Sequence, residues 1–288
     1  MKFSLLVLAL LLFSGTVMAC SEDGQSGILP KNNLRIPVGV KTAGGVTLAQ
    51  FNAAIKRVEV VYAPVIASLG GSLSMKKDWA NDEVNAFASR EGRSWQVHMT
   101  GGLARHPTMT VDAFTMVICH EVGHHIGGAP KKKIGNLWSS TEGQSDYWAA
   151  LKCLRHVFLN DNNSQIVRSR RVPPALNLAC SRSHGSSSPE RDLCIRIALA
   201  GQDLGIFFQQ VMEESKVPSF TTPDRSSVAQ TFEKHPASQC RMDTFFQGAV
   251  CEKSMNESVS QTDEVKGTCH RTLGDRVGLR PSCWFKSK

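Results

Sequence analysis

The chain has 288 residues, 41% of them hydrophobic and 20% charged, with a formal net charge of +8. That apolar fraction, with no short repeat, excludes a disordered tail, a coiled coil and a collagen-like fibre, and suffices for one large domain or two small ones with a buried core. The basic residues are scattered except at Lys131, Lys132 and Lys133 and at Arg168, Arg170 and Arg171. Neither cluster is interleaved with aromatics, so both read as solvated loop charge and no nucleic-acid partner is expected.

The one long apolar run, residues 5–13 (LLVLALLLF), follows Lys2 and leads into small residues at 14–19. A charged start, a short apolar stretch and a small-residue exit mark residues 1–19 as a removed export signal, since a bilayer span needs about 20 apolar residues. Val17-Met18-Ala19-Cys20 resembles the lipobox of bacterial lipoproteins, with Met18 where a smaller residue is usual. A lipid on Cys20 would anchor the mature chain to the membrane in the periplasm; cleavage after Ala19 without lipid would give a secreted soluble protein. Of nine cysteines, eight remain if Cys20 carries lipid, an even number that allows up to four disulfides in an oxidising compartment. Sequence proximity suggests Cys180 with Cys194, Cys240 with Cys251 and Cys269 with Cys283, while Cys119, in an apolar neighbourhood, reads as a buried thiol.

Residues 20–46, rich in Gly, Pro and Asn, read as a tether ahead of a folded domain over 47–255. Thr47 to Gln50 has the form of a capping box, and Leu48, Phe51, Ile55, Val58, Tyr62 and Ile66 recur at helical spacing up to Gly70, with Pro64 expected to kink or end the helix. Short runs at 72–75, 84–88 and 95–99, with a turn at Glu91 and Gly92, read as a small, mostly antiparallel sheet. Thr110 caps a helix that runs to about Ile126 and stops at Gly127-Gly128, and a second helix is expected from Glu142 to Phe158. Residues 161–188 read as a loop-rich insertion, helical periodicity returns over 191–214 and 238–251, and the tail 256–288 is tied down by cysteines. The class is α+β.

The chemistry concentrates at His120-Glu121-Val122-Gly123-His124. On a helix, residues four apart lie one turn above each other, so both imidazoles can face one zinc ion while Glu121 lies beside the open coordination position. A catalytic zinc needs a third protein ligand. A histidine six residues after His124 would serve, but that position is Pro130. Glu142, 18 residues after His124, opens the next helix, and Asp146 one turn later can accept the outer N–H of a ligand imidazole. The alternative for both acids is charge at a helix N-terminus, stabilised by the macrodipole.

HEVGH followed by EGQSD, together with Val84-Asn-Ala-Phe-Ala88, Met99-Thr-Gly-Gly-Leu103 and His235-Pro236 with Arg241, resembles the gluzincin family that includes the CAAX prenyl proteases, HtpX and BepA. The resemblance runs in the same order over roughly residues 47–255 and departs from the family in its cysteines, in the 161–188 insertion and in lacking transmembrane helices. It implies a mainly helical zincin-type fold whose edge strand borders the active site. It also implies one zinc ion held by His120, His124 and Glu142, with Glu121 as general base, so that the chain is a metalloendopeptidase acting on polypeptides of the cell envelope. By the same resemblance His235 is the donor to the developing oxyanion, able to close onto the zinc and hold the enzyme off, and Arg241 makes an ion pair near the site. Tyr147, His184 and His270 are rival donors. Asn85, Ala86, Phe87 and Ala88 are expected to bind an unfolded or extended substrate as an added strand. His98, His106, His125 and His156 read as structural. The alternative from another class is an inactive or latent chaperone-like binding module on the same fold, for which a retained Glu121 has no purpose; an exopeptidase would need a group to capture a chain terminus, and no such motif is visible.

Overall fold

The computed structural model describes residues 17–18, 27–40 and 43–287. Most of the export signal, and Cys20 with its proposed lipid, lie outside the described residues. A two-residue strand, β1 (Val17–Met18), precedes helix α1 (Leu48–Ser68). Thr47 and Gln50 form the expected capping box, and Phe51, Ala54, Ile55, Val58, Tyr62 and Ile66 are the buried stripe that holds α1 to the core. Pro64 lies inside this helix without ending it: the ring costs one main-chain hydrogen bond, but its fixed φ suits the helix.

Strands β2 (Ser72–Asp78), β3 (Ala86–Glu91) and β4 (Ser94–Thr100) follow, with β3 and β4 joined through Gly92 at φ +56°. The sheet order is β1-β3-β4-β2. Strand β3 is antiparallel to β1 and β4, whereas β2 is parallel to β4, with Ser72 opposite Ser94 and Asp78 opposite Thr100. The connection through residues 79–85 carries the chain past the place β4 later fills, so β3 arrives on its far side. The three expected strands thus make one antiparallel and one parallel pair, and only β1 adds a second antiparallel pair.

After the short α2 (Gly101–Arg105), α3 (Val111–Ile126) begins at the Thr110 cap and touches α1, β3 and β4 as well as the later helices. The expected helix over 142–158 is α4 (Glu142–Trp148), a π-helical turn (Ala149–Cys153) and α5 (Leu154–Phe158). The insertion read as loop-rich holds two helices, α6 (Asn163–Arg168) and α7 (Pro174–His184). Polar composition hid them, because they are held by ion pairs of the flanking residues (Asp161 with Arg196, Arg170 with Asp203) and by the Cys180–Cys194 disulfide as well as by apolar contacts. Arg196, on α8 (Pro189–Val211), forks onto Asp112, reaches Asp161 and Asn163, and lies over the Phe158 ring. Helix α9 (Ser238–Val250) packs against α8 and α4.

Two segments differ from the sequence reading. The supposed tether is packed where its described part begins: Ile28 and Leu29 are 0% and 1% exposed, and farther on the Ile36 N–H donates to Asp82 O, while Leu34, Val38 and Val40 stay exposed. A pair of apolar residues among Gly, Pro and Asn is too short to show as an element. The tail is held by a core as well as by cysteines, with Trp284 fully buried, its ring lying where a Cβ on Gly143 would be and its Nε1–H donating to Thr244 Oγ1 at 2.9 Å.

The disulfides are Cys119–Cys153, Cys180–Cys194, Cys240–Cys283 and Cys251–Cys269. Of the expected pairs only Cys180 with Cys194 forms, and Cys119 is not a free thiol. Cys240 lies near the start of α9 and Cys251 just past its end. Eleven residues at 1.5 Å rise separate them by roughly 16 Å, far beyond a disulfide's Cα reach of about 7 Å. Each pairs instead with the tail that doubles back over α9. Peptide mapping without reduction should recover these four linkages. Removing the 34-residue link with Cys119→Ala and Cys153→Ala should cost about 4 kcal/mol in a denaturant titration, from the entropy of the opened loop.

Candidate metal centre and active site

His120 and His124 project from one face of α3, one turn apart, with ring centroids 4.7 Å apart and planes nearly perpendicular. Glu142, the first residue of α4, brings its Oε2 to 3.2 Å from His120 Nε2 and 3.6 Å from His124 Nε2. All three side chains are buried. His120 Nε2 and Glu142 Oε2 lie at ion-pair distance without an aligned hydrogen bond. Buried polar atoms are otherwise costly without a partner, and a tetrahedral ion with bonds of about 2.0–2.2 Å places its ligand atoms roughly 3.3–3.6 Å apart. The three residues therefore fit a metal ion, and their ligand atoms all fall within 4.8 Å of one another.

The outer nitrogens fix the tautomers. His120 Nδ1–H donates to Asp146 Oδ1 at 2.6 Å, and His124 Nδ1–H donates to Ser140 O at 2.9 Å with Ser139 Oγ and Ser145 Oγ close by. In its neutral form each ring thus carries its lone pair on Nε2, toward Glu142. Asp146, fully buried, is forked by Arg241 from α9, Nε to Oδ2 and Nη2 to Oδ1, both at 2.8 Å. Burial raises the Asp146 pKa, but the Arg241 and His120 charges more than offset it, and the carboxyl is held below its ordinary value. Burial pulls the His120 imidazole down, and attraction to Asp146 outweighs this and lifts it to about 9. Lys132 donates to Glu142 Oε1 at 3.1 Å, leaving Oε2 for the histidines.

Glu121 follows His120 by about 100° around the helix. It is buried, and loss of hydration pushes its carboxyl up to about 7, against the pull of His120. A carboxylate poised near neutrality suits proton transfer.

His235 precedes α9 and reaches the same cluster. Its Nε2 lies 3.4 Å from Glu142 Oε2, and its Nε2–H donates to Gly27 O at 2.7 Å. The rival donors point elsewhere: Tyr147 OH donates to Gly278 O at 2.6 Å, His184 contacts Ala249 O, and His270 contacts Thr272 and Ser287. His98, His106 and His156 bond to Asp78, Thr108 and Met255 O. His125 Nε2–H donates to Gln96 O and Nδ1 accepts from Arg90 Nε, while its ring stacks on Trp95 and Trp138.

Of the four residues expected to bind substrate, Asn85 is committed to the N-terminal segment. Its Oδ1 accepts from Leu29 N–H and its Nδ2 donates to Leu29 O. Ala86 O accepts from Ile28 N–H at 2.9 Å, Phe87 faces the His98 ring, and Ala88 packs against Trp138. Sequence reasoning missed Lys132, which was read as solvated charge. Lys131 is also turned inward, its Nζ donating to Trp138 O. Nothing in a run of three lysines tells which one a loop folds over a carboxylate.

Comparison of the chain with protein-family models, curated proteins and solved structures finds no match. The site must be judged on its own geometry. Asp146→Asn should weaken zinc binding about 10–100-fold in a chelator competition, because it loosens the His120 ring. Lys132→Met, which frees Glu142 Oε1 to rotate, should also weaken binding, with circular dichroism unchanged.

Proposed function

We propose that the chain is an exported, zinc-dependent metalloendopeptidase of zincin type that hydrolyses unfolded or extended polypeptides of the cell envelope, with one zinc ion per chain. The observation that carries this reading is the buried cluster of His120, His124 and Glu142 with Glu121 beside it and Asp146 behind it. Two imidazoles and one carboxylate are the protein ligands of a catalytic rather than a structural zinc, which keeps a further position open. Zinc bound there supplies Lewis acidity, lowering the pKa of water and polarising a peptide carbonyl. Glu121 takes a proton from the attacking water and returns it to the leaving amine. His235 offers its Nε2–H to the developing oxyanion. Asp146 and Arg241 hold the His120 ring, and Lys132 holds Glu142 with one oxygen toward the histidines.

Four disulfides suit an oxidising, exported setting, and among the described residues no helix is long and apolar enough to cross a membrane. Attachment through a lipid on Cys20 is the anchor we propose, tested by metabolic labelling of the wild type beside Cys20→Ala. A binding module is the reading this proposal competes with, and Glu121 separates them, since only hydrolysis needs a base there.

Purified mature chain loaded with zinc should cleave casein, and 1,10-phenanthroline should stop it. Glu121→Gln should keep one zinc per chain and lose about 10²–10⁴-fold in kcat/KM. Zinc bound without cleavage by the wild type would favour the binding module.

A further inference from the structure

The residues just after the proposed export signal lie where an extended substrate would bind. His235 has one Nε2–H, and Gly27 O accepts it at 2.7 Å while the same nitrogen is 3.4 Å from the metal-facing oxygen of Glu142. Beside it, Ile28 N–H donates to Ala86 O at the start of β3, the Asn85 side chain clamps both main-chain groups of Leu29, and Arg241 Nη1 donates to Ile28 O at 2.8 Å. Further along, Val17 lies opposite Arg90 and Met18 opposite Ser89. Of the described residues, 17 and 18 pair antiparallel with Arg90 and Ser89, and residue 28 bonds to Ala86 farther back along β3. The outer edge of β3 therefore carries main chain of this same protein at both ends.

We infer that residues 27–29 form a built-in pseudosubstrate that keeps the candidate active site latent until an extended polypeptide displaces it from His235 and the edge of β3. This rests on the peptidase reading. One donor cannot serve two carbonyls: a substrate carbonyl gripped by His235 must take the place of Gly27 O. Main-chain groups of an edge strand are likewise saturable, and Ala86 O is already used. If the export signal is removed, β1 leaves with it and the Ser89 and Arg90 positions open, while residues 27–29 remain. The segment is fitted and not loosely laid down. A Cβ on residue 27 would overlap Ala86 O and crowd Asn85 and Phe87, so only glycine lets the carbonyl approach His235. The buried Ile28 and Leu29 side chains supply the holding force.

Gly27→Ala removes the fit without touching a proposed ligand, base or oxyanion donor. The probe is fluorescent, reduced and carboxymethylated α-lactalbumin, a permanently unfolded chain, offered to zinc-loaded Glu121→Gln protein so that nothing is cut. Adding Gly27→Ala should tighten binding about ten-fold, as expected when a competing closed state is emptied. In the Glu121→Gln protein, saturating probe should speed amide exchange at Ile28 and Leu29 at least about ten-fold, with Phe114 and Met116 in α3 unchanged. Equal affinities, or unchanged exchange at Ile28 and Leu29, would overturn the inference; should Gly27→Ala fail to fold, the exchange measurement alone decides. If both effects appear while neither the wild type nor Gly27→Ala with Glu121 intact cuts casein, residues 27–29 still occlude a polypeptide-binding site, but the peptidase reading falls and the latent-enzyme inference falls with it.

Discussion

The site depends on one buried negative charge. Asp146 has no solvent, and a carboxylate moved into such a place is costly unless every lone pair is used. Arg241 meets that demand with a two-pronged fork and His120 supplies the remaining strong donor. A lysine would bring a point charge but no fork, and the second oxygen of Asp146 would go unserved. The requirement fixes the fold around it, because α9 must press close enough to α4 for Arg241 to reach. Gly248 allows this: a Cβ there would crowd the Tyr147 carbonyl and Ala150. The guanidinium also lies over the Phe208 ring, so its other face is covered by α8.

Metal ligands on two helices keep their spacing only if the helices keep theirs. Cys119 is the residue before His120, and its disulfide to Cys153 ties α3 to the π turn that follows α4. The tail provides the rest of the brace. Trp284 seats against Gly143, Tyr147 donates to Gly278 O, and Arg280 reaches Gln144 Oε1 and Ala129 O, so α4 and the segment after α3 are held by the same side chain. Two further disulfides, Cys240–Cys283 and Cys251–Cys269, hold that tail against both ends of α9. A site preorganised in this way spends less of the metal's binding energy on ordering its ligands.

The parts of this arrangement that were legible in the sequence are those encoded locally. Thr47 and Gln50, Thr110, and the spacing of Phe51, Ile55, Val58 and Tyr62 specify α1 and the start of α3 through caps and a 3.6-residue period. The spacing of His120 and His124 and of Glu142 and Asp146 follows from the same period, so the four could be assigned to common faces. What was not legible depends on long-range closure. The cysteine pairing required knowing that the tail folds back along α9, and the position of Lys132 required the path of the 131–138 loop. Residues 27–29 have no periodicity at all; Asn85, Ala86, His235 and Arg241, all more than 50 positions away, give them a place.

Arg241 couples the ends of this system. Three of its nitrogens are used, two on Asp146 and one on Ile28 O. The nitrogen that holds the N-terminal segment is not one that holds the aspartate, so displacement of Ile28 would free Nη1 while Nε and Nη2 keep the carboxylate, and with it the His120 tautomer, in place. The support of the metal ligands is thereby separable from the occupancy of the β3 edge. Were the fork shared, release of the segment would slacken His120 at the moment the site opened. With separate donors, the freed Nη1 is left beside the vacated strand position, where a main-chain carbonyl of an extended polypeptide is the acceptor that can replace Ile28 O without leaving a buried charge unmatched.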